Sequence, residues 1–280
     1  MPSDIAIAPC TVHRLGLVEY QEAWEEQRRL VEACRTDGRG RLLLLEHPPT
    51  YTFGARRRQE HLLLPEATLA ELGAAVHRVD RGGDVTFHGR GLLVAYPIFD
   101  LRRWNQGPRW YVRSLEETLI EALAAFGIAA RQTPGRPGVW VGDAKIAAIG
   151  VRVSRGVTSH GFALNVDPDL RYFSYIVPCG LPDATVTSMD EVLLHRTMNG
   201  AASNREGMPP PSGGGEVLRR DRPSGLSGPE DQRALNRIPS MDAVMDAVVD
   251  AFARVFGLRM DEADRKGDHP VTLGVPMTAT

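Results

Sequence analysis

The sequence predicts an α+β fold in which a mixed, mainly antiparallel sheet is flanked by helices. Three strand-like runs follow one another in the middle of the chain and are separated only by short turns at Gly142-Asp143 and Arg155-Gly156. Two-residue turns of this kind join neighbouring antiparallel strands. Segments with apolar residues at helical spacing lie before and after these runs instead of alternating with them. This order is typical of α+β domains rather than of a parallel, doubly wound sheet.

The helices and strands follow from apolar spacing and from end signals. The second helix begins with the capping box Ser114–Glu117, and Ser240 is a suitable N-cap for the third. The predicted helices run from Leu17 to Gly38, from Ser114 to Gly127 and from Ser240 to Gly257. The predicted strands are Arg41–Leu45, Val76–Val79, Leu92–Phe99, Val139–Val141, Lys145–Val153 and Thr158–Val166.

The composition changes sharply between Asn199 and Ser240. This segment contains seven glycines, six prolines and five serines, and it has no aromatic residue. So little apolar surface cannot offset the entropy of ordering the chain, which indicates a flexible insert. We therefore expect a catalytic body over residues 1–198, an insert over 199–240, and a C-terminal region, 241–280, whose helix packs on the body and is followed by a tail.

Composition and charge exclude several classes of protein. Hydrophobic residues make up 42% of the 280 residues and charged residues 24%, which rules out collagen-like, wholly disordered and disulfide-scaffold proteins. The net charge of −2 gives no reason to expect nucleic acid or an anionic membrane as a partner. No apolar run is long enough to span a membrane, and the first residues lack the pattern of a signal peptide. A cytoplasmic location is therefore predicted.

Three widely spaced cysteines argue against a disulfide framework and against a zinc site. Cys179 lies between Pro178 and Gly180, on a turn that gives the thiol little cover. An accessible cysteine can act as a nucleophile when a nearby cation stabilises its thiolate. Cys10, in the terminal segment, and Cys34, at the exposed end of the first predicted helix, are interpreted as incidental.

Lys145 stands out because the chain uses arginine almost everywhere else. Of the 33 cationic residues only Lys145 and Lys266 are lysines. Lysine can exchange a proton near neutral pH when its surroundings favour it, whereas arginine cannot. Lys145 is therefore a candidate for proton transfer, although drift in composition explains two remaining lysines equally well.

Three glycine-containing segments are candidates for a binding site. Arg81–Gly91 holds four glycines in eleven residues, without the pattern of a Walker loop or a dinucleotide fingerprint. Small residues in Lys145–Gly150 and the glycine of Ser159–Asn165 leave room for an extended apolar ligand. Ordinary turns and close strand packing explain these features as well. His88 and His160, which lie in two of these segments, are possible site residues.

Together these motifs resemble those of lipoyl(octanoyl) transferases, in the same order and at the same spacing. The similarity covers about Leu42 to Ser188 and the final helix, and it rests on Arg81–His88, Gly138–Val151, Ser159–Asn165 and Pro178–Gly180. It implies a fold like that of biotin and lipoate protein ligases. It also implies transfer of an octanoyl or lipoyl group from acyl carrier protein to a lysine of lipoyl domains. Those acceptor domains belong to 2-oxoacid dehydrogenase complexes and the glycine cleavage H protein, and neither ATP nor another cofactor is needed.

The resemblance also implies roles for individual residues. Cys179 would carry the acyl group as a thioester, and Lys145 would lower the pKa of its thiol. The substrate site would be lined by Arg81, Gly82, Gly83, Asp84, Val85, Thr86, Phe87, His88, Ala148, Ile149, Gly150, Gly161, Phe162 and Ala163. Arg90 and Leu92 replace the proline and glutamine that are usual in the family, so that a bulky cation lies next to the acyl site.

Two other functions remain open at this point. An ATP-dependent lipoate or biotin ligase of the same fold would not need Cys179, and a scaffold that binds acyl carrier protein would form no acyl-enzyme. The dense basic cluster Arg56-Arg57-Arg58 suits an acidic carrier protein, although a solvated loop explains it too.

Overall fold

The computed structural model describes residues 8–177, 185–203 and 238–263. Within these ranges the chain forms one nine-stranded sheet, a second sheet of three strands and five α-helices. The strands are β1 (Ala8–Leu17), β2 (Gly40–Glu46), β3 (Thr50–Phe53), β4 (Ala75–Arg78), β5 (Val85–His88), β6 (Leu92–Ile98), β7 (Arg131–Thr133), β8 (Arg136–Val141), β9 (Ala144–Ser154), β10 (Val157–Asn165), β11 (Thr185–Val186) and β12 (Leu258–Glu262). The helices are α1 (Tyr20–Asp37), α2 (Glu66–Glu71), α3 (Pro108–Ala124), α4 (Met189–Ser203) and α5 (Met241–Phe256).

The main sheet is mixed and mainly antiparallel, as the sequence predicts. Its order is β12-β1-β2-β6-β10-β9-β8-β7, with β11 added beside β9. The strands from β2 to β7 in this order pair antiparallel, whereas β1 is parallel to both its neighbours and β11 is parallel to β9. The turn between β9 and β10 has positive φ at both Arg155 and Gly156, the geometry that matches the twist of a tight hairpin. The predicted meander is confirmed.

The main sheet separates two apolar cores. The run Leu42–Leu45 in β2 is completely buried, because alternate side chains of a strand point to opposite faces. Leu42 and Leu44 enter the core beneath α3 and α5, whereas Leu43 and Leu45 enter the core beneath α1 and the three-stranded sheet. An apolar run that faces two cores is thus explained by layers on both sides of the sheet.

The ends of the helices differ in part from the prediction. Ser240 Oγ accepts a hydrogen bond from the Ala243 amide and Gly257 adopts a left-handed conformation, so both predicted ends of α5 are confirmed. The prediction that α1 begins at Leu17 is wrong, since Leu17 is the last residue of β1. The capping box at Ser114 is wrong too, because α3 begins six residues earlier with a proline in its first turn, where no amide donor is needed.

Several elements were not predicted from the sequence. Of the three-stranded sheet, in the order β4-β3-β5, only β4 was predicted, as Val76–Val79. Strands β3 and β5 have four residues each, which is too short for a clear alternation. The edge pair of β1 and β12 joins residues about 250 positions apart, and no local pattern indicates such a partner. Helix α4 continues to Ser203, beyond the predicted start of the insert, and residues 204–237 lie outside the described ranges.

Cys10 and Cys34 are fully buried, so the prediction that Cys34 lies at an exposed helix end is wrong. Burial raises the pKa of the Cys34 thiol to about 11 and raises the pKa of Cys10 as well. Neither thiol therefore forms a thiolate readily at neutral pH.

None of the helices in the part of the chain that the structure describes is long and apolar enough to cross a membrane.

Candidate active site

A cavity of about 320 Å³ lies between the main sheet and the three-stranded sheet. Its walls come from the glycine-rich segment before β5, from β5 itself, and from β9 and β10. All the predicted substrate-site residues except Phe87 line it. Phe87 faces the other side of β5, where it stacks on Tyr172 at 4.7 Å and lines a small neighbouring cavity. The sequence motifs thus converge on one space, although they are separated by up to 80 residues.

The glycine-rich segment is held against β9 by backbone contacts that leave no room for side chains. The Gly82 amide donates to the Val151 carbonyl at 2.8 Å. A Cβ atom added at Gly150 would come within 3.0 Å of both Arg81 Cδ and the Gly82 carbonyl oxygen. Arg81 is itself buried and donates from Nη2 to the Thr52 carbonyl at 2.6 Å. Gly150 is therefore required for the close approach of these two walls.

One end of the cavity, which we call the cation end, is lined by Arg136 and Lys145 on the hairpin of β8 and β9, and the buried Trp140 ring lies against both side chains. Lys145 is 5% exposed, and its Nζ lies over the Trp140 ring at 4.8 Å. Gly138 has a φ of +116°, and a Cβ atom there would meet the Ala147 carbonyl at 2.5 Å and the Lys145 stem at 3.5 Å. The glycine lets the two strands close around the lysine, and the indole face orients its ammonium group.

Cys179, the predicted nucleophile, lies outside the described residues, but both flanks of its segment are anchored beside the cavity. Before it, the Val177 amide donates to the His61 carbonyl at 2.9 Å. His61 in turn donates from Nδ1 to the buried carboxylate of Asp84 at 2.5 Å. After it, β11 pairs with the first residues of β9, and the Thr187 amide donates to the Lys145 carbonyl at 3.0 Å.

The other end holds a group of buried rings that we call the histidine–tyrosine cluster: Tyr20, His47, His88, Tyr96 and His160. Neighbouring rings in it lie 5.0 to 6.3 Å apart. His160 pairs with Val151 across the sheet, six residues from Lys145 along β9, or roughly 20 Å at about 3.3 Å per residue. The two ends of the cavity are therefore well separated.

The hydrogen bonds of the cluster fix the protonation of His47. Burial lowers the pKa of His47 to about 4, so the ring is neutral at pH 7. Its Nδ1 lies 2.7 Å from the Val18 carbonyl, which can only accept, and therefore carries the proton. Nε2 then accepts from the Tyr96 hydroxyl at 2.8 Å, and Tyr20 is hydrogen bonded to the same hydroxyl.

The same reasoning applies to His88. Thr52 Oγ1 accepts from Arg81 Nε and Nη2, at 3.2 and 2.9 Å, so both its lone pairs are used and its own proton is donated to His88 Nε2, 3.2 Å away. Burial lowers the pKa of His88 well below its usual value. The single proton of the neutral ring is then on Nδ1, which is buried and has no acceptor among the described residues.

His160 has a left-handed backbone, with a φ of +55°, which is uncommon for a residue other than glycine or asparagine. Its amide donates to Gln27 Oε1 at 2.8 Å, and its Nε2 donates to Asp80 Oδ1 at 2.8 Å. Burial lowers the pKa of His160, whereas the hydrogen bond from His160 lowers the pKa of Asp80. Asp80 directly precedes the glycine-rich segment, so His160 ties this segment to β10.

Sequence reasoning found Lys145, His88 and His160 but missed the groups around them. Trp140 lies in a recognised motif, yet nothing local distinguishes an indole that holds a cation from an indole of the core. Arg136 is one of many arginines, and Tyr20 begins a helix far away in the sequence. Only the folded chain brings Tyr20 and Arg136 to the cavity wall and places Trp140 against Arg136 and Lys145.

Solved structures share the fold at low sequence identity. The putative lipoate protein ligase Ta0514 of T. acidophilum matches with a TM-score of 0.60 at 14% identity, covering 91% of this chain and 88% of that one. A lipoate-protein ligase A bound with ATP matches with a TM-score of 0.62 at 13% identity, covering 92% and 90%. The predicted lipoate ligase-like fold is confirmed.

Sequence comparison identifies the family. The model of the lipoyl protein ligase A/B catalytic domain matches residues 19–202. The mitochondrial octanoyltransferase LIP2 of Arabidopsis thaliana is 49% identical over 180 residues, which is 64% of this chain and 77% of that protein. An octanoyltransferase of Chloroflexus aggregans is 53% identical over 184 residues, 64% and 83% of the two chains. The chain therefore belongs to the lipoyl protein ligase A/B catalytic-domain family, as one of its octanoyltransferases.

Proposed function

We propose that this octanoyltransferase transfers its acyl group through a thioester on Cys179, with octanoyl-acyl carrier protein as the donor and a lysine of a lipoyl domain as the acceptor. The observation that carries the proposal is the position of Lys145. Its buried side chain lies at the end of the cavity where β11, the strand that follows the Cys179 segment, pairs with β9. A lysine so placed can exchange protons with a nucleophile in that segment.

In the first half of the reaction, Lys145 takes the proton of the Cys179 thiol. The thiolate attacks the carbonyl carbon of the donor thioester, and the carrier's pantetheine thiolate leaves and takes the proton back from Lys145. One thioester is exchanged for another, so the step is nearly balanced in energy and needs no nucleotide. The acyl chain lies along β9 and β10, beside Ala148, Ile149 and Phe162, whose surfaces line the cavity.

In the second half, the amine of the acceptor lysine attacks the acyl-enzyme. The amide forms, the Cys179 thiolate leaves, and the proton shed by the amine passes through Lys145. Amide formation from a thioester is downhill, which makes the overall transfer favourable. In this proposal the acceptors are the lipoyl domains of 2-oxoacid dehydrogenase complexes and the glycine cleavage H protein, and the transfer is the first step of protein lipoylation. The name octanoyltransferase, which the relatives carry, supports octanoyl as the transferred group.

Intact mass after mixing the enzyme with octanoyl-acyl carrier protein, without ATP, tests this mechanism. We expect an octanoyl adduct on the enzyme that disappears when a lipoyl domain is added. The adduct should be absent in Cys179→Ala and retained in Cys10→Ala and Cys34→Ala, whose thiols are buried. Acylation of the lipoyl domain only in the presence of ATP would instead support the ligase alternative, and carrier binding without any adduct would support a scaffold.

A further inference from the structure

A second cationic side chain, that of Arg136, lies over the indole of Trp140 besides Lys145. The guanidinium carbon of Arg136 lies over the Trp140 ring at 4.3 Å, and Lys145 Nζ lies over the ring at 4.8 Å. Because both distances are measured to the same indole, the two cationic groups are within about 9 Å of each other. Trp140 is 1% exposed and donates from Nε1 to the Arg136 carbonyl at 3.1 Å, so the ring that carries both cations is itself fixed.

Arg136 is not neutralised by any carboxylate in the part of the chain that the structure describes. Its Nε is buried and has no acceptor among those residues, and its side chain lines the cavity. The nearby carboxylate of Glu116 accepts instead from the Gly138 amide at 3.0 Å. By contrast, Arg102 pairs with Asp100 and Arg171 pairs with Asp169 at the surface. A permanently charged donor that lines the cavity and has no carboxylate partner among the described residues suits an anion there.

We propose that Arg136 is the second positive charge of the reaction centre and stabilises the oxyanion that forms during acyl transfer. This inference rests on the proposed acyl-enzyme mechanism. When the thiolate attacks the thioester, the new carbon–sulfur bond forms and the π electrons of the carbonyl move to its oxygen. The oxyanion accepts a hydrogen bond from Arg136, which keeps its proton throughout. When the oxyanion collapses, the electron pair returns and the carrier's thiolate leaves with the proton held by Lys145.

The proposal also gives a reason for two cationic side chains on one indole. After Lys145 has accepted the thiol proton, two positive charges line the same cavity, and a negative charge near them lowers the free energy of this state. In this proposal the thiolate and then the oxyanion supply that charge. The arrangement therefore favours the charged states of the reaction over the neutral ground state, which is the condition for a catalytic effect.

Single-turnover rates of acyl-enzyme formation test the role of Arg136. Two donors are used: octanoyl-acyl carrier protein, and the octanoyl thioester of N-acetylcysteamine, which carries no phosphate and no protein. The variants are Arg136→Gln and Arg136→Lys. Arg131→Gln is the matched control, because Arg131 lies in the neighbouring strand opposite Trp140 but donates to the Gly142 carbonyl outside the cavity. Thermal melting verifies that each variant is folded.

We expect Arg136→Gln to slow acylation about 10- to 100-fold with both donors, Arg136→Lys to recover part of this loss, and Arg131→Gln to stay within about twofold of the wild type. A wild-type rate in Arg136→Gln would overturn the inference. So would a loss confined to the carrier-bound donor, which indicates docking, or a lysine variant as slow as the glutamine variant, which excludes a role of charge. Absence of any adduct in the wild type would instead refute the proposed function.

Discussion

Both ends of the cavity contain basic side chains, but Arg136 at one end is permanently charged, whereas the histidines at the other end are neutral. At the cation end, Lys145 and Arg136 share one indole, and Arg136 has no described carboxylate partner. At the other end, His88 and His160 are as buried as Lys145, and burial lowers their pKa values, so both rings are neutral at pH 7. The two ends therefore offer different groups to a ligand: positive charge at one end and neutral hydrogen-bonding rings at the other.

This contrast assigns separate tasks to the two ends. Permanent or transferable charge lies where the Cys179 segment is anchored, so charge-dependent chemistry belongs there. Neutral rings with fixed hydrogen bonds can shape a cavity and hold its walls, as His160 does through Asp80. Variants at the cation end should change the rate of the chemical step, whereas variants at the histidine–tyrosine cluster should change binding and stability.

The largest effect is expected at Lys145. Lys145→Ala should lower the saturated rate of transfer about 10²- to 10⁴-fold, the usual range for loss of a general base. Lys145→Arg should lose a similar amount, because a guanidinium keeps the charge but cannot accept the thiol proton. Steady-state turnover with carrier and lipoyl domain measures both. Near-normal turnover of Lys145→Arg would reduce the lysine to an electrostatic role and weaken the contrast between the two ends.

The neutral histidines should make the protein less stable in mild acid. Below pH 6.5 the unfolded chain takes up protons that His47, with a folded pKa of about 4, does not, so the free energy of unfolding falls as the pH falls. The slope is about 1.4 kcal/mol per pH unit for each such histidine. Urea unfolding between pH 7 and pH 5 should therefore show a smaller slope for His47→Gln than for the wild type.

The comparison of slopes matters because Glu116 acts in the opposite direction. Burial raises its pKa, so the folded state binds a proton more readily than the unfolded state in the range just above the usual value, and stability there rises as the pH falls. An equal slope in wild type and His47→Gln would show that His47 becomes charged in the folded protein.

A moderate effect on binding is expected at His160. Asparagine tolerates the left-handed backbone at this position, so His160→Asn should fold. It should lose the hydrogen bond to Asp80 that anchors the glycine-rich segment. The KM for the donor should rise about 3- to 10-fold, roughly the net contribution of one hydrogen bond, with the saturated rate little changed. Arg152→Gln, which removes a more exposed contact to Asp80, should have a smaller effect. A loss of saturated rate as large as that of Lys145→Ala would abolish the distinction between the ends.

The smallest effect is expected at the mouth of the cavity. Arg57 and Arg58 are exposed, and neither lines the cavity, whereas Arg56 does. Reversing both charges, with Arg57→Glu and Arg58→Glu, should slow association with the acidic carrier about threefold and flatten its salt dependence. Activity with the small thioester should be unchanged. Equal losses with both donors would exclude a docking role for this cluster.

The sequence predicts best those elements whose structure depends on residues that are close together in the chain. The meander of β8, β9 and β10 is joined by two-residue turns, so its pattern is complete within about 30 residues and was predicted. The start of α3 was missed because a good capping box at Ser114 and a proline at Pro108 are both plausible helix starts, and packing of Tyr111 in the core favours the earlier one. The pair of β1 and β12 has no local signal at all.

The sequence by itself determined the α+β class, the family and the motifs that converge on the cavity, because glycines and hairpin turns act on the backbone locally. Only the tertiary structure decided which ionisable groups are charged. Burial keeps His47, His88 and His160 neutral, while the Trp140 indole lies against both Arg136 and Lys145. The physical reason is that a backbone conformation depends on neighbouring residues, whereas the free energy of a charge depends on all the dipoles, charges and water around it in space.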